Sequence, residues 1–404
     1  MFIPTGRNET GVHMASGKRI FISDLHLCTE RAVTQTAPLH NYGWTRKNTR
    51  HLGRFLGSLL QREDVAELVI LGDLLDDWVL PASFDPDPGP DFENTFEAIL
   101  RAKQNRTVVA NLKTLASNQC PIQVSYVPGN HDMAVEKGFL EAHFPGMRCV
   151  GQYNPGLGVY QADGIRAEHG HRFCLFNAPD DLTGSPGFLP LGYYVSRCDA
   201  QEWLQDGDGA EFMSLLAWAI KKWFAEGGNP PAVVLMAIAA EAGMKPGSRF
   251  RMPAGMDSPS VAQVRNRFQN LMAQWDASPQ HAEVSAQQAL WADAGILEDV
   301  IWQVYGRPSR KPRIVVCGHT HKYALYAYKH GAKFNLALSP DQETPDGGYD
   351  FLYANAGTWV DQVSLRTYVE TEADAEQGRH HLRVMKYSAD GTPVVMLESH
   401  VGLR

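Results

Sequence analysis

The stretch LVILGDLLDDW, residues 68–78, joins an apolar run to three closely spaced carboxylates. The run is typical of a buried strand, and Asp73, Asp76 and Asp77 follow it directly. Like charges this close repel each other, and burying them unpaired would cost free energy or raise their pKa values. We therefore expect a lysine or arginine, bulk water or a metal ion beside them.

The composition narrows the function classes. The chain has 404 residues, of which 44% are hydrophobic and 20% charged, which is typical of a globular protein. This length suits one large domain with an insertion, or two domains. The formal net charge of −8 argues against nucleic acid as a partner, because no basic surface is indicated.

Cysteine usage and apolar runs indicate a location. The six cysteines are scattered without a CxxC pair, which favours a reducing compartment over a disulfide framework. The N-terminus lacks the apolar region of a signal peptide, and the longest apolar run, 232–240, is about half a membrane span. We therefore predict a cytoplasmic protein without a transmembrane segment, and peripheral membrane contact stays open.

Six short apolar runs predict the fold class. They lie at 19–26, 68–73, 122–132, 165–171, 313–321 and 351–359. Near-continuous apolar strands suit a sheet that is covered on both faces. Helical patterns separate the early runs, whereas 159–168 and 359–398 are typical of antiparallel strands joined by turns. The prediction is an α/β fold of two facing mixed β-sheets flanked by helices, with an inserted helical cap.

Residues 179–310 depart from this alternation. The segment begins rich in proline and glycine, continues as helix, and carries most of the tryptophans. We predict a core of residues 18–178 and 311–404, with residues 179–310 as the insertion. Its apolar residues fit a self-contained helical core, or a lid whose inner face holds an apolar part of a substrate. If the insertion is a lid, replacing residues 184–305 by a short linker would leave metal binding largely intact.

Five of the six runs end in residue types that bind metals. In open α/β sheets the functional crevice lies beyond the carboxyl ends of the strands. The residues there are Asp24 and His26; Asp73 and Asp76; Asn130, His131 and Asp132; His169 and His171; and His319 and His321. Each group alone is more often a turn, a cap or a solvated strand end. Five such groups, each closing a strand, favour one shared metal site.

This series resembles the motifs of the calcineurin-like metallophosphoesterase family. Those motifs are D-x-H, G-D-x-x-D, G-N-H-[DE], a later H-G-x, and G-H-x-H, and they occur here in the same order over residues 18–178 and 311–360. The resemblance implies a metal-dependent hydrolase of phosphate esters. It does not extend to the helical insertion.

The resemblance also implies a ligand set for two metal ions. One ion takes Asp24, His26, Asp73 and His321, and the other takes Asp73, Asn130, His169 and His319. Asp73 bridges the two. Oxygen and imidazole ligands without thiolate suit Mn²⁺, Fe²⁺ or Zn²⁺. Two such ions can hold a hydroxide between them as the nucleophile.

The remaining motif residues receive supporting roles. His131 resembles the family's general acid, and Asp132 would orient its other ring nitrogen. Asp76 and Asp77 either support the ligands or face solvent, and the spacing favours Asp76 as an orienting partner. His171 is predicted to lie behind the ligands. In bacterial enzymes that cleave UDP-diacylglucosamine the fourth motif reads H-G-D-x-x-C, whereas His171 replaces that aspartate here and Cys174 keeps its spacing.

The expected function is hydrolysis of a phosphodiester or pyrophosphate bond in a small molecule, with an apolar moiety as an option. A phosphomonoesterase or nucleotidase would show the same motifs. A binding scaffold of the same fold would have lost ligands or the acid histidine, and every such position is filled here. A nuclease is disfavoured by the acidic charge balance.

Overall fold

The computed structural model describes residues 17–30, 45–80, 95–152, 155–205, 230–252, 257–306, 312–338, 348–360 and 366–402. The strands are β1 (Lys18–Ile22), β2 (Val65–Leu71), β3 (Gln123–Val127), β4 (Arg148–Cys149), β5 (Tyr160–Ala162), β6 (Ile165–Ala167), β7 (Ile314–Cys317), β8 (Ala324–Lys329), β9 (Ala332–Asn335), β10 (Phe351–Asn355), β11 (Thr367–Asp374), β12 (Arg379–Tyr387) and β13 (Pro393–Gly402). The helices are α1 (Thr45–Leu59), α2 (Thr95–Arg101), α3 (Arg106–Leu115), α4 (Lys137–His143), α5 (Leu191–Gln205), α6 (Pro230–Glu241), α7 (Val261–Phe268), α8 (Leu271–Ala277), α9 (Ala286–Asp293) and α10 (Leu297–Tyr305).

The strands form two mixed sheets. The first has seven strands in the order β13-β12-β11-β1-β2-β3-β4, and the second has six in the order β5-β6-β7-β10-β8-β9. In the first sheet β1 to β4 are parallel, and β11 pairs antiparallel with β1. In the second, β6, β7 and β10 are parallel. The predicted fold class is confirmed, and all six apolar runs contain a strand.

Alternation along the strands explains the layers. Phe21 of β1 and Val69 of β2 pack with residues of the second sheet, such as Ile314, in the core between the sheets. Their neighbours on the opposite face, Ile20 and Ile70, pack against α1 and α3. Because both faces are covered, the strands read as continuous apolar runs.

The second sheet is covered on its outer face by the described helices of 191–306. Val315, Tyr328 and Tyr353 of that sheet belong to the same buried apolar cluster as residues of α5 to α10. Trp302 of α10 stacks on Tyr328 with the ring centroids 4.0 Å apart. The inserted helices therefore pack directly on the sheet that carries two of the ligand loops.

The two turn predictions hold, and one helix prediction needs a correction. β5 and β6 form the hairpin about Asp163 and Gly164, and β11 to β13 form an antiparallel meander. One of the helical patterns between the early runs spans 92–116, and within its described part, 95–116, a 3₁₀ turn at Lys103–Asn105 interrupts the helix. The buried side chain of Asn105 donates hydrogen bonds to the carbonyls of Cys28 and Ile99, both at 2.9 Å, and so holds this break in place.

Candidate metal centre

The five ligand loops meet because their strands are parallel and end at the same side of the sandwich. β1, β2 and β3 of the first sheet lead into Asp24, Asp73 and Asn130, and β6 and β7 of the second lead into His169 and His319. The structure thus brings together all seven residues predicted as ligands: Asp24, His26, Asp73, Asn130, His169, His319 and His321.

Asp24, His26 and His321 form the first cluster. The Nε2 atoms of His26 and His321 are 3.0 Å apart, and Oδ1 of Asp24 lies 3.2 Å from His321 Nε2 and 3.8 Å from His26 Nε2. This Asp24 oxygen is buried and accepts no hydrogen bond of good geometry from the described residues. A buried, unsatisfied carboxylate oxygen that converges with two imidazoles fits a metal ion.

Asn130, His169 and His319 form the second cluster with Asp73. Oδ1 of Asn130 lies 2.9 Å from His169 Nε2 and 3.0 Å from His319 Nδ1. Oδ2 of Asp73 lies 3.2 Å from the same His169 nitrogen. Two oxygens and two ring nitrogens therefore converge on one point, which again suits a borderline divalent metal.

Asp73 belongs to both clusters through a single oxygen. Its Oδ2 lies 3.6 Å from His26 Nε2 in the first cluster as well as 3.2 Å from His169 Nε2 in the second. Its Oδ1 accepts a hydrogen bond of 2.9 Å from the backbone N–H of His131. The backbone bond fixes the carboxylate so that Oδ2 faces both sets of ligands.

Hydrogen bonds behind the rings select the tautomers that a metal needs. His26 Nδ1 donates to Asp76 Oδ2 at 2.7 Å, and His169 Nδ1 donates to the carbonyl of Leu71 at 2.7 Å. Each bond places the proton on Nδ1 and leaves the Nε2 lone pair for the centre of the site, as metal-binding histidines require.

The backbone at the ligands is held in a sparsely populated conformation. Positive φ angles occur at Asp24 (55°), His26 (41°), Asp73 (51°), His319 (72°) and His321 (59°), and none of these is glycine. Such residues cost about 1–3 kcal/mol each and cluster at functional sites. The two packed sheets hold these turns in this conformation, because each turn follows a strand that is buried on both faces.

Two motif glycines are required by close approach. A Cβ on Gly129 would lie 2.2 Å from Asp73 Oδ1, and a Cβ on Gly318 would lie 1.8 Å from Ser23 Oγ and 2.6 Å from Asp24 Oδ2. Side chains at these positions would displace the carboxylates. The glycines in the third and fifth motifs therefore serve the ligand geometry.

The site combines ionised carboxylates with basic imidazoles. Burial alone raises the pKa of Asp24, but the facing His321 and His26 outweigh it and hold that pKa well below its usual range. Burial lowers the pKa of His169, whereas Asp73 raises it to about 9. In the same way, Asp24, Asp76 and Asp73 raise the pKa of His26 to about 10. The carboxylates thus hold protons on the imidazoles, and a metal would bind in competition with these protons.

His131 lies beside the first cluster on the partly exposed side of the site. Its Nδ1 is 2.9 Å from Asp76 Oδ1, and its ring stacks on Trp78 with the centroids 4.2 Å apart. Burial raises the pKa of Asp76, but the charges of His131 and His26 hold it well below the usual range. An ionised Asp76 therefore accepts a hydrogen bond from His26 and lies in close contact with the Nδ1 of His131.

The structure does not place Asp132 where it could orient the His131 ring, as the sequence predicted. Its Oδ1 accepts from the N–H of Gly129 at 2.8 Å, and its Oδ2 accepts from the N–H groups of Leu74 at 2.7 Å and Leu75 at 3.4 Å. Asp132 thus ties the third motif loop to the second, and Asp76 takes the place beside the His131 ring.

Two further predictions receive an answer from burial. Asp76 and Asp77 are both buried, so the alternative in which they face solvent is wrong. His171 is also buried, with its Nε2 donating to the carbonyl of Gly156 at 3.1 Å and its ring centroid 5.3 Å from that of His169. His171 therefore packs behind the His169 ring, and its supporting role stays a prediction.

Some residues at the site carry no motif signal. Trp78 covers His131, and Asn355 donates to the carbonyl of Gly318 at 2.6 Å and so anchors the loop of the fifth motif. Asn177 accepts a hydrogen bond from Asn130 on the side away from the site, and it donates one to Asp293. Trp78 follows the second motif directly, but Asp293 lies in a helix of the insertion, where only a tertiary contact reveals it.

This fold and this convergence of carboxylates, amide and imidazoles define a metal-dependent phosphoesterase. A family model described as calcineurin-like phosphoesterase matches residues 17–323. The match covers more than half of the chain, and the protein belongs to the calcineurin-like phosphoesterase family of divalent-metal hydrolases. No curated protein matches the chain. Within the described residues, no helix is both long and apolar enough to cross a membrane.

Proposed function

We propose that this protein is a dinuclear metal-dependent hydrolase of phosphodiester or pyrophosphate bonds in a small molecule. The observation that carries the proposal is the Asp73 carboxylate, whose Oδ2 faces His26 at 3.6 Å and His169 at 3.2 Å. One oxygen between two ligand sets is the arrangement expected for a bridge between two cations.

In this proposal two divalent ions, Mn²⁺, Fe²⁺ or Zn²⁺, occupy the two clusters. Asp24, His26, Asp73 and His321 hold one, and Asp73, Asn130, His169 and His319 hold the other. Bound there, the ions supply Lewis acidity toward the phosphoryl group and the attacking water. The chain itself fixes the ligand orientation before binding, through the hydrogen bonds of Asp76 and Leu71 to the histidine rings.

His131 is the proposed general acid. Its Nδ1 faces the ionised Asp76, so Nε2 is the nitrogen left to protonate a leaving-group oxygen. Stacking on Trp78, which itself meets Tyr193 edge-on at 5.7 Å, restricts the plane of the ring. Asp132 supports this loop through backbone hydrogen bonds rather than through His131.

The proposed domain division places residues 18–178 and 311–404 in the catalytic core and residues 179–310 in a cap. The turn between α9 and α10 lies over two ligand loops: Leu297 packs against Gly170, and Gly295 lies beside the ammonium of Lys322. Trp291 and Ile296 at this turn are 41% and 37% exposed. Apolar surface next to the site favours a substrate with an apolar moiety.

The proposed location is the cytoplasm, with peripheral membrane contact if the substrate is lipid-like. None of the six cysteines, which all lie within the described residues, forms a disulfide bond, and this is compatible with a reducing compartment.

Substrate profiling tests the reaction class. Metal-free protein is reloaded with Mn²⁺, Fe²⁺ or Zn²⁺ and assayed on bis-para-nitrophenyl phosphate, para-nitrophenyl phosphate and UDP-linked pyrophosphates. We expect the diester or the pyrophosphates to be hydrolysed with the higher kcat/KM. Preference for the monoester would replace the proposal by a phosphomonoesterase, and hydrolysis that is independent of added metal would overturn the dinuclear mechanism.

The acid role of His131 has its own test. His131→Ala should lower kcat on alkyl phosphodiesters, whose alkoxides are poor leaving groups, by roughly 10²–10⁴-fold. Nitrophenyl esters should lose less, because nitrophenolate departs without a proton. His381→Ala on β12, outside all five ligand loops, serves as the control. Equal losses on both substrates with metal content preserved would remove His131 from this role.

A further inference from the structure

A partly buried series of hydrogen-bonded side chains joins helix α9 of the insertion to Asn130. Oδ1 of Asp293 accepts from Asn177 Nδ2 at 2.8 Å, and Oδ2 accepts from the N–H of Phe176 at 2.9 Å. Oδ1 of Asn177 in turn accepts from Asn130 Nδ2 at 3.4 Å. Among the described residues, no lysine or arginine forms an ion pair with Asp293. Its two oxygens instead accept the hydrogen bonds from Asn177 and from the backbone of Phe176.

The series of hydrogen bonds from Asp293 through Asn177 determines which end of the Asn130 amide faces the metal site. An amide has a donor end and an acceptor end, whereas a carboxylate only accepts. Asp293 therefore requires the NH₂ of Asn177 to face it, which turns the Asn177 oxygen toward Asn130. The NH₂ of Asn130 then points away from the site, and its oxygen meets the nitrogens of His169 and His319.

The opposite orientation of Asn130 would be incompatible with metal binding. A flipped amide would present two N–H donors to the cation and leave the second cluster without one of its oxygens. Both oxygens of Asp293 accept N–H groups, one from Asn177 and one from the backbone of Phe176, so the geometry itself assigns the acceptor role to Asp293.

We propose that Asp293 is a positioning residue that, through Asn177, presents the Oδ1 of Asn130 to the metal ion. This inference rests on the proposed ligand role of Asn130. It makes the inserted helices part of the metal site, since Asp293 lies at the end of α9 and outside the motif series.

Exchanging the hydrogen-bond donor and acceptor between Asn177 and Asp293 tests this series of hydrogen bonds. Asn177→Asp replaces the NH₂ that faces Asp293 by an oxygen, while it still offers an oxygen to Asn130. We expect Mn²⁺ affinity at one of two sites to fall by about 10–100-fold, the usual effect of losing a residue that orients a ligand. Combining Asn177→Asp with Asp293→Asn restores a donor opposite an acceptor, and affinity should return to within a few-fold.

Affinities are measured by titrating metal-free protein with Mn²⁺ and following free Mn²⁺ by electron paramagnetic resonance. Asp276→Asn is the matched control, because Asp276 accepts from the N–H of Ala286 at the start of the same helix, at 2.7 Å. The control should leave both sites unchanged. If Asn177→Asp does not fold, Asn177→Ala also removes the donor, and the same loss is expected for it.

The outcomes separate this inference from the proposed function. Weak binding in Asn130→Ala together with wild-type binding in Asn177→Asp and Asn177→Ala would overturn the positioning role alone. Failure of the double change to recover affinity would also overturn it, because a merely structural role predicts additive damage. Unchanged Mn²⁺ binding in Asn130→Ala would instead remove Asn130 from the ligand set.

Discussion

Asp73 divides its two oxygens between the chain and the site. The backbone N–H of His131 holds Oδ1, and Oδ2 faces the histidines of both clusters. Burial raises the pKa of this carboxyl, but His169 and His131 outweigh it and keep the pKa well below its usual range. A permanently ionised carboxylate at this position answers the question raised by the three clustered aspartates: the positive partners are imidazoles and, in the proposed holoenzyme, cations.

Asp73→Asn should reduce metal occupancy at both clusters at once, because the amide keeps an oxygen but loses the charge. We expect the metal content, measured by elemental analysis, to fall from nearly two ions per chain to less than one. Asp64→Asn, which alters a half-exposed carboxylate paired with Arg62, is the control and should keep both ions. Full loading of Asp73→Asn would rule out the bridge.

Asp77 predicts a pH dependence of stability. Burial, and secondly the charge of Asp76, raises its pKa from 3.8 to about 7. The folded protein therefore binds this proton more tightly than the unfolded chain does. The resulting contribution to the free energy of unfolding is complete below about pH 4 and is lost as the pH rises through about 7.

Asp77→Asn stays neutral and should escape this loss. In the presence of a chelator, its thermal midpoint relative to wild type should increase between pH 5 and pH 8 by at least roughly 2–4 °C, the shift produced by about 1 kcal/mol in larger domains. A constant difference across this range would contradict the assignment.

At the scale of single residues, the sequence predicted the residues that converge on the site better than the residues that support them. Ligand types are recognisable because each closes an apolar strand, as Asp24 and Asn130 do. Supports depend on three-dimensional contacts: Asp76 rather than Asp132 lies beside His131, and Asp293 reaches Asn177 across 116 positions. The motif spacing favours Asp76 as an orienting partner, but no spacing rule encodes its contact with His131 or the contact of Asp293 with Asn177.

At the scale of elements, the predicted strands were confirmed because burial on both faces leaves a continuous apolar run. The break between α2 and α3 was not predicted, since it follows from hydrogen bonds of Asn105 to Cys28, which is distant in sequence. Helices α9 and α10 matter most for the site. Their turn approaches Gly170 and Lys322, beside ligands from both motifs of the second sheet.

The packing of these helices argues against a cleanly removable cap. Replacing 184–305 by a linker would expose Val315, Tyr328 and Tyr353 on the outer face of the second sheet and would delete Asp293. We therefore no longer expect such a replacement to leave metal binding intact. Point changes at exposed positions give a sharper test of the cap.

Combining Trp291→Ser with Ile296→Ser tests whether the cap binds an apolar part of the substrate. Both residues are exposed, so the fold should be kept. KM for a phosphodiester with a long alkyl chain should rise by roughly tenfold, as removal of about 1.4 kcal/mol of apolar contact predicts. Activity on bis-para-nitrophenyl phosphate should stay within about twofold of wild type. Unchanged KM for the alkyl substrate would contradict the lid, and the exposed Leu338→Ser is the control.

At the scale of the whole molecule, the site depends on the facing of two sheets. Asp24 and His321 are almost 300 positions apart in the sequence, and their side chains meet at 3.2 Å. The ligand loops are thus held by separate cores on either side of the crevice. Composition predicted the size and the acidic balance, but only the strand order shows that both sheets direct their parallel ends to one place.

The pairing of β1 with β11 has a consequence for biosynthesis. Arg19 pairs with Thr371, so one edge of β1 acquires its partner only after most of the chain has been made. At about 5–20 residues per second, ribosomes need roughly 20–70 s to cover that distance. During this interval an apolar strand keeps unpaired N–H and C=O groups on one side, as edge strands that aggregate do. The nascent chain should therefore need protection by a chaperone until its last meander emerges.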